Sequence, residues 1–147
     1  MPGKPISTKM LAEKVRRATD LRGLIEAFAK EMHRDPLEVA LRKLCVEKNT
    51  KPARVIKRAD IELTYGHQLF NGKKANPSRD KVIQLAFGFG LSLNETQKLL
   101  KIARKSALDA RIKRDVVFCY ALEKSLTVAE VKSIINEMGL PALGRED

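Results

Sequence analysis

Apolar residues recur three and four positions apart along most of the chain: Leu21, Leu24, Ile25 and Phe28, then Leu37, Ala40, Leu41 and Leu44, then Val82, Leu85, Ala86 and Phe89. That spacing puts each set on one face of a helix. Little in the sequence favours a strand. The run Val116 to Leu122 has β-propensity, but its length and the lack of a partner strand predict a fully buried helix. The expected fold class is all-α.

The helix boundaries are well marked. Asp35-Pro36-Leu37-Glu38 supplies an N-cap, a proline for the first helical position and a glutamate three residues on. Ser92-Leu93-Asn94-Glu95 and Thr127-Val128-Ala129-Glu130 read as capping boxes, in which cap and glutamate satisfy each other's backbone amides. Ser78 is a further N-cap candidate, as is Thr50 or Lys51 ahead of Pro52. Gly72, Gly90 and Gly139 stand where a helix needs a left-handed residue to stop. Helices are predicted near 8–19, 20–34, 36–48, 52–59, 63–70, 79–88, 93–104, 113–124 and 128–138. The first two read either as a pair with Asp20 capping the second or as one bent helix weakened at Gly23. Leu143 to Asp147 reads as a frayed tail.

Composition narrows the class. With 44% apolar and 32% charged residues and a mean hydropathy of −0.28, the chain has no apolar run near the roughly 18 residues of a membrane span. No membrane partner is expected. The first 30 residues interleave Lys9, Glu13, Lys14, Arg16, Arg17, Asp20 and Arg22 with apolar positions, leaving no signal-peptide core. A cytoplasmic location follows as the expectation. Cys45 and Cys119 lie far apart in apolar surroundings, which suits reduced core thiols better than a disulfide. There is no Gly-rich phosphate loop and no paired-Cys spacing, and the histidines are only His33 and His67. No catalytic site, metal or cofactor is therefore predicted.

Charge is the first positive signal. Lys and Arg number 29 against 18 Asp and Glu, a net +11. Residues 1–34 hold 8 basic and 4 acidic side chains, residues 35–105 hold 15 and 7, and residues 106–147 hold 6 and 7. An excess concentrated in the middle of the chain points to a polyanion, because each neutralised phosphate releases condensed counterions. A basic surface that merely solubilises helices is the alternative.

The middle segment also carries a recognisable arrangement. A helix of about 12 residues, a second of about 8, a tight turn at Asp60-Ile61 and a third of about 8 ending at Gly72 match the spacing of a helix-turn-helix. Across residues 36–104 the chain resembles the phage-repressor-like, or XRE-type, helix-turn-helix superfamily. The resemblance is carried by Pro52 to Ala59, Ile61 to Gly72, Pro77-Ser78 and Val82 to Ala86 running to Leu91-Ser92. It implies a five-helix bundle with added N- and C-terminal helices: an extension over 1–34, the DNA-binding domain over 35–105, and a helical pair over 106–147 packed on it. It further implies a transcriptional regulator that binds double-stranded DNA as a symmetric pair, with Leu63, Thr64, His67 and Gln68 facing the major groove. Lys51 and Arg54 at the start of the second helix, with Asn71, Lys73, Lys74, Asn76 and Arg79 around the following loop, then make two arms that grip phosphates. Pairing is assigned to the N-terminal stripe Leu21, Leu24, Ile25, Phe28, Ala29 and Met32, and cover of the core to the C-terminal helices; the alternative is that both stripes fold onto one enlarged monomeric core.

Three positions depart from the superfamily pattern. Asp60 stands where the turn usually has glycine, a place a short polar side chain tolerates. Gly66 replaces an aliphatic residue of the recognition helix, and Tyr65 or Phe87 is the expected filler of the space. Glu62 at the start of that helix suits the dipole but repels phosphate. A second function class stays open: a protein-interaction adaptor on the same bundle, docking through Glu62, Leu63 and Phe70.

Overall fold

The computed structural model describes residues 7–29 and 36–144. Among them are nine helices and no strand, so the chain is all-α. It divides into two units at Asp35/Pro36.

The first unit holds α1 (Thr8–Arg17) and α2 (Leu21–Ala27). They are separate helices. α1 stops at Ala18, whose backbone is extended, and Asp20 caps α2 by accepting from the Gly23 amide. Gly23 has a local reason: a Cβ there would stand 2.9 Å from Asp20 Oδ1. Neither helix buries a residue. Met32 and the remainder of the helix expected to reach residue 34 lie outside the described residues, as does Asp35.

From Pro36 onward the chain builds one compact unit: α3 (Leu37–Glu47), α4 (Pro52–Arg58), α5 (Leu63–Phe70), α6 (Arg79–Phe89), α7 (Leu93–Ile102), α8 (Lys113–Glu123) and α9 (Val128–Glu137). Pro36 takes the N-cap of α3 rather than its first turn. Both capping boxes form, Ser92 with Glu95 and Thr127 with Glu130, and Ser78 caps α6. Gly72, Gly90 and Gly139 all have positive φ.

α4 lies against both α5 and α6, and a glycine on each partner permits the approach. A Cβ on Gly66 of α5 would sit 2.5 Å from Ile56 Cγ2, and one on Gly88 of α6 would sit 2.5 Å from the Val55 carbonyl oxygen. Ile56, not Tyr65 or Phe87, fills the space beside Gly66. A single core runs from Leu41, Val55 and Ile56 through Leu69, Ile83, Leu85, Leu99 and Leu100 to Phe118, Val131 and Ile135. The C-terminal helices thus share the core of the middle segment.

Three expectations are corrected here. α8 is helical but not fully buried: Val117, Phe118, Ala121 and Leu122 face inward, while Val116 and Tyr120 are exposed. Cys45 and Cys119 are half-buried free thiols, and burial pushes both thiol pKa values up. The tail is not frayed at its start. Leu143 is buried in the core, and the Gly144 amide donates to Asp80 Oδ2 at 2.9 Å.

Candidate nucleic-acid interface

The turn between α4 and α5 is held by α6 and α9. Asp60 adopts φ +56, a left-handed geometry that short polar side chains reach at modest cost. Its carboxylate accepts from Lys132 Nζ of α9 at 2.6 Å. Gln84 of α6, 1% exposed, donates from Nε2 to the Ala59 carbonyl at 2.9 Å and to the Asp60 carbonyl at 3.3 Å. These contacts satisfy carbonyls at the end of α4 that the helix itself leaves unpaired.

Glu62 then starts α5. Its two carboxylate oxygens accept from the Thr64 and Tyr65 amides at 3.0 and 2.8 Å. Those bonds, the Tyr65 amide foremost, hold its carboxyl below the usual glutamate range. A capping carboxylate neutralises the positive end of α5, so the helix N-terminus is not an anion site. A folded-state pKa below the unfolded value means the anchorage is complete above the ordinary glutamate pKa and is lost as pH falls through the lower, folded value. The Thr64 and Tyr65 amide shifts in a pH titration should therefore move together with a midpoint below about 4.3. A midpoint at or above that value would contradict the cap.

α5 buries Gly66, Leu69 and Phe70 and turns Leu63, Thr64 and His67 outward. Leu63 is 57% exposed. Three of the four expected base-facing residues share one open face, and Gln68 is half-buried at its edge. Phe70 lies 5% exposed against Phe89, ring centroids 6.1 Å apart. Its burial removes one of the three residues assigned to protein docking.

The expected phosphate contacts divide. Lys51 at the N-cap of α4 and Arg54 on its first turn, with Lys73, Lys74 and Asn76 in the loop after α5, are exposed. Among the described residues none of these four cations has an acidic partner. Asn71 is exposed, but its Oδ1 accepts from the Lys73 amide at 2.9 Å and so shapes the loop.

Arg79 is a correction. Its guanidinium donates to both oxygens of Asp115, at 2.9 and 2.7 Å, and to the Ser106 and Ala107 carbonyls, each at 3.0 Å. A side chain so committed is structural, not a phosphate clamp. The partner pair repeats the geometry in reverse: Arg114 donates to Asp80 at 2.8 and 2.6 Å and to the Pro141 and Ala142 carbonyls at 2.9 and 2.8 Å. Asp80 and Asp115 are 7% and 1% exposed. The first turns of α6 and α8 are thereby cross-linked by two bidentate pairs. The signal in the sequence is the dipeptide Arg-Asp, at 79–80 and again at 114–115, each at a helix start.

Among the described residues no group of three or more His, Cys, Asp or Glu could hold a metal ion, and no helix is long and apolar enough to cross a membrane. Comparison with protein-family models, with curated proteins and with solved structures finds no match to this chain.

Proposed function

We propose that the unit from Pro36 onward binds double-stranded DNA, presenting α5 to a major-groove half-site, and that the protein is a sequence-specific transcriptional regulator of the cytoplasm. The observation that carries this reading is the open face of Leu63, Thr64 and His67, with the exposed cations Lys51 and Arg54 at the start of the preceding helix and Lys73 and Lys74 in the loop that follows α5. Cations without acidic partners before and after a short helix with an open face suit the two phosphate walls of a groove. Glu62 is tied to its own helix by the Thr64 and Tyr65 amides, which confines its repulsion of phosphate to the helix start. Thr64, His67 and Gln68 supply the polar groups that read base edges, and Leu63 an apolar contact for a thymine methyl.

Binding as a symmetric pair belongs to the same proposal, since one half-site of a few base pairs does not stand out among competing sequences. The first unit supports it. Met10, Leu11, Val15, Leu21 and Ile25 are all exposed there, Leu21 at 71%, and helices of 10 and 7 residues are marginal without a partner to pack on.

Selection from a random duplex pool with competitor DNA tests the whole reading. The expected product is an inverted repeat with half-sites about one helical turn apart. Gln68→Ala should then relax preference at one base pair by about 1–3 kcal/mol with non-specific binding kept. A pool that shows no enrichment over competitor refutes sequence-specific binding.

A further inference from the structure

Arg79, taken out of the phosphate contacts, ties the start of α6 to the segment after α7, where other cations gather. α6 and α7 are joined by the short connection Gly90 to Ser92 and pack on each other, so the end of α7 returns beside the start of α6. The bonds from Arg79 to the Ser106 and Ala107 carbonyls fix that return. The start of α6 directly follows the loop that carries Lys73 and Lys74. Beside Ser106 lies a shallow groove of about 520 Å³ lined by Gln97, Lys98, Lys101, Arg104, Lys105 and Ala107.

Four of those six residues are cations, and none of the six is acidic. The nearby carboxylates are spent: Glu95 on Lys48 at 2.9 Å and Asp109 on Arg111 at 2.8 Å. None of the four cations has an acidic partner among the described residues. The C-terminal end of α7 carries the equivalent of roughly half a negative charge, which one lysine compensates and four cations exceed. Arg104 holds φ +59, a conformation that disfavours a long side chain, yet arginine occupies it. Gln97 is held in place by one bond to Leu108 at each end of its amide. The groove suits negative charge, and no aromatic ring lines it.

We infer that the groove of Lys98, Lys101, Arg104 and Lys105 is a second contact for the sugar-phosphate backbone of bound DNA, continuing the Lys73-Lys74 loop beyond the half-site. The inference rests on the proposed DNA binding and extends the footprint of that interface. DNA is the occupant because four cations without acidic partners suit a phosphate backbone, and because the Arg79 bonds tie this end of α7 to the start of α6, which follows the Lys73-Lys74 loop in the chain.

The test compares wild type, Lys101→Ala/Lys105→Ala, Lys73→Ala/Lys74→Ala and the fourfold variant. Each is titrated with a mixed-sequence duplex longer than the half-site at several salt concentrations, with circular dichroism confirming the fold. Each phosphate contact contributes about 0.9 to the slope of log K against log salt. Each double variant should therefore lower the slope by up to about 2 and weaken specific and scrambled duplexes alike, and the fourfold variant should lose both increments. A Lys101→Ala/Lys105→Ala slope equal to wild type overturns this inference alone and leaves the α5 reading standing. A wild-type chain that binds no duplex overturns both. Tripolyphosphate titrated into wild type separates the remaining source: amide shifts confined to 97–107 together with an unchanged DNA slope would assign the groove to a small anion and overturn the DNA contact.

Discussion

Asp115→Ala is expected to cost about 3–5 kcal/mol of unfolding free energy, the range for removing one partner of a buried ion pair. The carboxylate is 1% exposed and accepts both guanidinium nitrogens of Arg79 and the Asp109 amide at 3.0 Å. Alanine removes the bidentate carboxylate from the Arg79 charge, 18% exposed in its side chain, in a poorly solvated place. It also orphans the Asp109 amide, and it loosens the 106–109 segment that Arg79 holds against α6. Replacing both partners by apolar residues, Arg79→Met with Asp115→Leu, should recover part of the loss, because the larger penalty is the stranded charge and not the missing attraction. Urea unfolding of the three proteins measures this. A loss below about 1 kcal/mol for the single variant, or a double variant no better than the single one, would show that water reaches Arg79.

This cross-link also shows where the sequence was legible. Helix positions followed from spacing and caps, because both are local. Ser92 with Glu95, Thr127 with Glu130 and the left-handed Gly72, Gly90 and Gly139 need only a few residues of context. Arg79 and Arg114 did not reveal themselves, because an arginine beside a loop reads the same whether its partner is phosphate or an aspartate 36 residues away. Leu143 was misread for the same reason: a tail five residues from the end of the sequence is anchored by Asp80 and Arg114 from distant helices. The outward face of α5 was legible from periodicity, with Leu63, Thr64 and His67 exposed and Leu69 and Phe70 buried. The groove on α7 was not. Lys98, Lys101 and Lys105 look in sequence like a solvated helix face, and only the Arg79 contacts show which end of the bundle they join.

Gly66→Ala is the second substitution with a large expected effect, and its sign runs against helix propensity. On propensity alone, alanine in a helix interior gains about 1 kcal/mol over glycine. Here its methyl would meet Ile56 Cγ2, Cγ1 and Cδ1 at 2.5, 2.7 and 2.9 Å. Ile56 is 1% exposed, and a β-branched side chain in a helix has one strongly preferred rotamer, so it cannot swing aside. Overpacking of this kind costs about 1–3 kcal/mol and sometimes more. Three contacts under 3 Å belong at or beyond the upper end, which leaves a net loss of about 1–3 kcal/mol after the propensity gain. Ile56→Ala should itself cost about 2–5 kcal/mol through the cavity it opens. In that background Gly66→Ala should stabilise, since the methyl enters the vacated space and the propensity gain is no longer opposed. The two substitutions therefore couple with opposite sign to their single effects, and unfolding of the four proteins in the cycle reads the coupling directly. An equal cost in both backgrounds would mean that α5 does not lie as close to Ile56 as the missing side chain of Gly66 allows. The consequence reaches the interface, because the depth at which α5 seats on α4 sets how far Leu63, Thr64 and His67 stand out from Lys51 and Arg54. A helix pushed outward by one methyl would hold Leu63, Thr64 and His67 at a changed distance from Lys51 and Arg54, and so would alter the proposed DNA-binding face.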